Sequence, residues 1–134
     1  MSLQLSVAAR NAGLDAYETS VGVSAKLDIY SGSPPANCAA ADTGTLLATL
    51  ALPSDWMANA SGGTKALAGS WTGVGAAAGN AGYFRIKDTA NTTCHMQGTV
   101  TATGGGGDMT MDNINIAVAQ AITVNSFNLT AGNA

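Results

Sequence analysis

Tyr83-Phe-Arg-Ile-Lys-Asp-Thr-Ala-Asn-Thr-Thr-Cys-His-Met-Gln-Gly-Thr-Val-Thr101 is the stretch on which the fold is read. Phe84 and Ile86 point one way along it while Tyr83, Arg85 and Lys87 point the other, the period-two alternation of a β-strand. Asp88-Thr-Ala-Asn has turn chemistry, and residues 94–103 read as the returning strand. The stretch therefore predicts a β-hairpin with a loop of about five residues.

The same signals extend in both directions. Ala25, Leu27 and Ile29 alternate with Lys26, Asp28 and Tyr30, and Ser31-Gly-Ser-Pro-Pro ends that strand because consecutive prolines cannot join a ladder. Residues 45–52 predict a second strand, with Leu46, Ala48, Leu50 and Leu52 on one face and Leu47 on the other, closed by Pro53. A third, over 64–72, is broken at Gly69 and carries Leu67 and Trp71; Trp56 and Met57 fall in the connection before it. Residues 73–82 read as a loop of Gly and Ala. Beyond the hairpin, Gly104 to Gly107 form a hinge, and Met109, Met111, Ile114 and Ile116 supply a strand kinked around Asp112-Asn113. The last strand, 121–130, changes parity from Ile122 and Val124 to Phe127 and Leu129, which asks for a bulge near Asn125-Ser126 or burial on both faces.

The first 20 residues differ. Leu5, Ala8, Ala9, Ala12 and Ala16 recur at helical spacing, with Leu3, Val7, Leu14 and Tyr17 nearby. Ser6 suits the N-cap and Gly22 the end, while Gly13 weakens the helix by about 1 kcal/mol. A helix over 7–19 is expected, either packing across an open end of the β body or acting as an arm that docks on a neighbouring subunit. The expected fold is all-β: an antiparallel β-sandwich, jelly-roll-like, of seven or eight strands, preceded by this short N-terminal helix. One domain is expected over residues 1–134, with arm and helix in 1–22 and the sandwich body in 24–134.

Composition narrows the function. Five Lys and Arg and eight Asp and Glu make up 10% of the chain, against roughly 25% in ordinary soluble domains. There is one His (His95) and one Glu (Glu18), so acid–base, nucleophilic and metal chemistry have few groups to draw on. No catalytic, cofactor-binding or metal-binding residue is assigned, and no enzyme activity is expected. Low charge with many small polar residues points to a surface buried in an assembly. The basic residues (Arg10, Lys26, Lys65, Arg85, Lys87) are scattered, which argues against nucleic acid. No apolar run reaches a membrane span, and MSLQLSVAAR does not read as a secretory signal, so synthesis in the cytosol is expected. Cys38 and Cys94 then read as free buried thiols, with a disulfide as the alternative.

Three motifs hold the residues that could carry chemistry. Gly104-Gly-Gly-Gly-Asp108-Met-Thr-Met-Asp112 lacks the helix and Lys of a phosphate loop, and reads as a bent crossing, with a divalent cation at Asp108 and Asp112 as the alternative. His95 beside Cys94 is at most a two-ligand fragment without an orienting carboxylate. Trp56, Trp71 and Tyr83 could stack on a sugar, but core or interface anchoring is the commoner use of such rings.

GGGGDMTMDNINIAVAQAITVNSFNLTAGNA from Gly104, together with SGSPPANCAAADTGTLLATLALP (31–53) and AGYFRIKDTANTTCHMQGTVT (81–101), resembles small proteins encoded with the head genes of tailed bacteriophages and prophages. The resemblance implies a virion structural protein of the capsid cement or decoration type, made in the host bacterial cytoplasm and placed on the capsid surface. Its partners would be the major capsid protein and further copies of itself; a neck, tail or head-fibre subunit is the alternative. The expected interface comprises the arm (Leu3, Leu5, Val7) and the loop at Ala76, Ala77, Ala78, Gly79 and Asn80.

Overall fold

A computed structural model describes residues 3–131, so residues 1, 2 and 132–134 of the expected domain lie outside the described residues. Helix α1 (Val7–Val21) is followed by β1 (Lys26–Ser31), β2 (Leu46–Ala51), β3 (Thr64–Ala66), β4 (Thr72–Val74) and β5 (Gly79–Lys87). Then come β6 (Cys94–Ala102), β7 (Met109–Met111), β8 (Asn115–Ile116) and β9 (Ala121–Thr130). Among the described residues the fold is all-β with one short N-terminal helix, as expected. The nine strands form one curled sheet in the order β2-β1-β5-β6-β7-β9-β3, with β4 added to β9 and β8 to β5. A division into the two facing sheets of a sandwich is not seen.

The sheet is also mixed, because β6 and β7 run parallel (Val100 beside Met109, Ala102 beside Met111). Parallel neighbours normally need a crossover of a dozen or more residues; here only 103–108 intervene. The glycines make that possible. Gly104 and Gly106 take φ of +86° and +80°, and a Cβ on Gly107 would meet Thr101 at 2.8 Å. The backbone can then fold flat against β6, where Gly107 N–H donates to Thr101 Oγ1 and Asp108 N–H to Thr99 Oγ1. Asp108 Oδ2 accepts from both the N–H and the Oγ1 of Thr99, which pins the return.

The alternation in β1 and β5 sorts residues to two faces, and both are buried. Leu27, Ile29, Phe84 and Ile86 join the apolar core with Met109, Met111, Ile122, Val124 and Phe127. Trp71 lies at its centre, 6.0 Å from Trp56 and 5.6 Å from Phe127, which meets Phe84 edge-on. Both indoles are satisfied, Trp56 Nε1 donating to Gly22 O and Trp71 Nε1 to Trp56 O. The opposite face, carrying Asp28, Tyr30, Tyr83, Arg85 and Lys87, is covered by the connection between β1 and β2.

Long-range pairing sets where several strands begin, break and bulge. Residues 64–72 split into β3 and β4 on either side of Gly69, whose φ is +69°. Gly79 and Asn80, expected in a loop, open β5 because β8 pairs with them. The parity change in β9 is a bulge at Asn125, skipped where Thr110 pairs with Ser126 and Met111 with Val124.

Candidate functional site

Helix α1 begins where Ser6 accepts from Ala9 N–H and ends where Gly22 N–H bonds Glu18 O. It is seated on the body by its polar side rather than by its apolar stripe. The Leu5, Ala8, Ala9, Ala12 and Ala16 stripe is exposed, and only Leu14 and Val21 of the helix are buried. The docked face is polar. Asn11 Oδ1, Asp15 Oδ1 and Glu18 Oε2 accept the backbone N–H groups of Gly63, Ala60 and Met57 in turn. Acceptors one helical turn apart thus match donors three residues apart on a chain running the opposite way. Lys65 Nζ closes the seam at 2.6 Å from Asp15 and 2.9 Å from Glu18. Hydrogen bonds from Lys65 and from Ala60 N–H hold the Asp15 carboxyl below its usual range. Burial works against the Lys65 charge, but the two carboxylates outweigh it and raise the ammonium's pKa.

The second polar assembly lies on the outer face of β1 and β5. Lys87 Nζ is 3.1 Å from Asp28 and 3.2 Å from Asp42, and Arg85 Nη1 is 2.7 Å from Asp42. Thr49 Oγ1 donates to Asp28 Oδ1, and Tyr30 OH to Asp28 Oδ2. The Tyr30 and Tyr83 rings stack at 4.9 Å. The covering connection is fastened by bonds from Arg85 Nη2 to Asn37 O, Gln97 Nε2 to Pro35 O, and Tyr83 OH to Thr43 O. Burial opposes ionisation of both Asp42 and Lys87, yet their mutual pairing, with Tyr30 between them, lowers the carboxyl's pKa and raises the ammonium's. Burial likewise drives the Tyr30 phenol up. Two cations here face two carboxylates, so the network neutralises itself and holds its cover; it presents no unpaired charge to a substrate.

The other sequence candidates separate. Leu3, Leu5 and Val7 are exposed, as are Ala76, Ala78 and Asn80, whereas Ala77 and Gly79 are half-buried. Ala76 and Ala77 N–H donate to Leu47 O, so this segment is tied to β2. The sugar-stacking reading is corrected: Trp56, Trp71 and Tyr83 are at most 1% exposed and present no ring face to a ligand. At the position of the cation alternative, Asp108 accepts from Thr99, while Asp112 caps its own turn through Asn113 N–H and receives Thr123 N–H, so each carboxylate has one oxygen engaged within the fold. No cluster of three or more His, Cys, Asp or Glu is found among the described residues.

His95 is exposed beside an open groove of about 480 Å³ lined by Tyr17, Phe84, Met96, Phe127 and Leu129. Cys94 is not its partner: its Sγ faces Cys38 Sγ at 2.7 Å. Among the described residues no helix is long and apolar enough to cross a membrane. Sequence reasoning missed both ionic assemblies, since Lys65 lies 50 residues from Asp15 and Arg85 43 from Asp42. The one usable signal was Arg85 and Lys87 on a single strand face with Tyr83. No family model, curated protein or solved structure matches the chain.

Proposed function

We propose that this chain is a virion structural protein that binds a bacteriophage capsid shell as a cement or decoration protein. The observation that carries the reading is where the charges lie. None of the five Lys and Arg residues is fully exposed, and of the eight acids only Asp15, Asp42, Asp55, Asp108 and Asp112 have open side chains. Asp42 is itself committed to Arg85 and Lys87. A surface this poor in charge is ill suited to keeping a free monomer dispersed and well suited to being covered. With three of the five cations buried and Arg10 and Lys26 half-buried, a polyphosphate partner is also disfavoured.

The polar seating of α1 supplies a contact surface. It turns Leu5, Ala8, Ala9, Ala12 and Ala16 outward, continuous with Leu3 at 75% and Val7 at 48% exposure. Small side chains allow close backbone approach, so this face, with Ala76 to Asn80, is assigned to the major capsid protein or to a second copy. Area buried across capsomer boundaries stabilises a shell by mass action. Synthesis in the host cytoplasm and a final place on the capsid surface follow from that role.

Cryo-EM of particles from the replicon that encodes the chain tests this. Many symmetry-related copies on the shell, contacting it through the helix face, are expected. A ring at one vertex would replace this reading with a neck or tail subunit, and absence from purified particles would overturn both.

A further inference from the structure

Cys38 sits in the connection that covers the ionic network, and Cys94 opens β6 beside it. They are 56 residues apart in the chain, yet their sulfurs are 2.7 Å apart. A disulfide bond is about 2.05 Å long, so closing one here requires a movement of under an ångström. Both side chains are half-buried rather than sealed, which leaves a path for a small oxidant. The strand side is held rigidly by the β5–β6 ladder, where Lys87 pairs with Cys94. The loop side is held by Asn37 O, Pro35 O and Asp42, all bonded to β5 or β6.

We propose that Cys38 and Cys94 form a redox-operated staple, converted by a small disulfide oxidant of the glutathione type into an intramolecular disulfide that locks the cover onto the sheet. The Cys38 thiolate attacks one sulfur of the oxidant and expels the first small thiol. Burial pushes the Cys94 thiol up to about 12, so Cys94 Sγ attacks Cys38 Sγ as its proton passes to the departing sulfur, and the second small thiol is expelled. Two protein thiols lose two protons and two electrons, and the oxidant's S–S bond takes up both to leave as two thiols. The staple stays open in a reducing cytosol and closes once the protein meets an oxidising medium. Its loop of more than fifty residues is long enough to restrict the unfolded chain strongly. The staple needs no capsid contact and operates in the isolated protein.

The test uses the reduced full-length chain incubated with excess oxidised glutathione at about pH 8. Intact mass, thiol titration and a non-reducing peptide map are then read. The expected result is a monomer lighter by two hydrogen atoms, no titratable thiol, and a peptide joining Cys38 to Cys94. Its Tm should rise by about 10 °C over the reduced form. Cys38→Ala and Cys94→Ala, checked for fold by circular dichroism, should give neither the linked peptide nor the Tm rise. Two thiols that stay free, or only glutathione adducts or chain-to-chain dimers, would overturn the proposal. So would a linked monomer whose Tm does not move. Should either Ala variant fail to fold, the wild-type mass, map and Tm still decide the matter.

Discussion

Lys65 and Lys87 are both buried cations with two carboxylate partners, but their surroundings differ. At the helix seam, the partners of Lys65 keep a route to water: the Asp15 side chain is 46% exposed and that of Glu18 is 19% exposed. On the outer sheet face, Lys87 meets Asp42, which is 41% exposed, but also Asp28, which is only 2% exposed and bonded by Thr49 and Tyr30. Removing one member of a buried pair is costly mainly through the charge left behind. The exposure of the partner, more than the length of the contact, should therefore decide how much each lysine matters. The seam behaves as a clasp that can be solvated, and the network as a second, polar core.

The sharpest way to break this comparison is Lys87→Ala. It strands Asp28 in a buried site and should cost about 3–5 kcal/mol, read as a lowered urea midpoint with an unchanged slope. Lys65→Ala should cost less, about 1–2 kcal/mol, because Asp15 and Glu18 can turn to solvent. Its signature is local: the amides of Met57, Ala60 and Gly63 should lose hydrogen-exchange protection while β1 and β5 keep theirs. Equal losses for the two variants would show that partner exposure is not the governing variable.

The pH profile sharpens the same point. Asp15 and Asp42 have folded pKa values below their unfolded ones, so their contribution is complete above about pH 4 and is lost as pH falls through the folded values. Lys65 and Lys87 have folded values above their unfolded ones, so their contribution is complete below about pH 10 and is lost as pH rises through the folded values. Stability should be level between these limits and fall on both sides. Asp15→Asn should flatten the acid limb without altering the protection of the roofed network. The smallest effect is a gain: Gly13 is helical with open space around its Cα, so Gly13→Ala should add about 1 kcal/mol, seen as a modest rise in Tm.

Much of the β architecture could be read locally. The alternation around Phe84 and Ile86, the break at Gly69, the kink at Asp112-Asn113 and the bulge at Asn125 each leave a mark within a few residues. Ser6 and Gly22 marked the ends of α1 for the same reason. The docked face of α1 was not legible, because spacing reveals where apolar residues align, not whether they are used. Three backbone donors held at matching intervals by the 57–63 segment made the Asn11, Asp15 and Glu18 stripe the better seat. Of the residues expected to form a contact surface, Leu3, Leu5, Val7, Ala76, Ala78 and Asn80 are exposed, while Ala77 and Gly79 are half-buried.

Residue order alone sufficed for strands, turns and caps, since these answer to side-chain parity and backbone preference over a handful of neighbours. The parallel match of β6 with β7, the enclosure of Lys87 and the meeting of Cys38 with Cys94 came from the folded whole. Strand partners and buried charges are selected by which distant segments can satisfy each other's hydrogen bonds once the core has closed, and no local pattern carries that information.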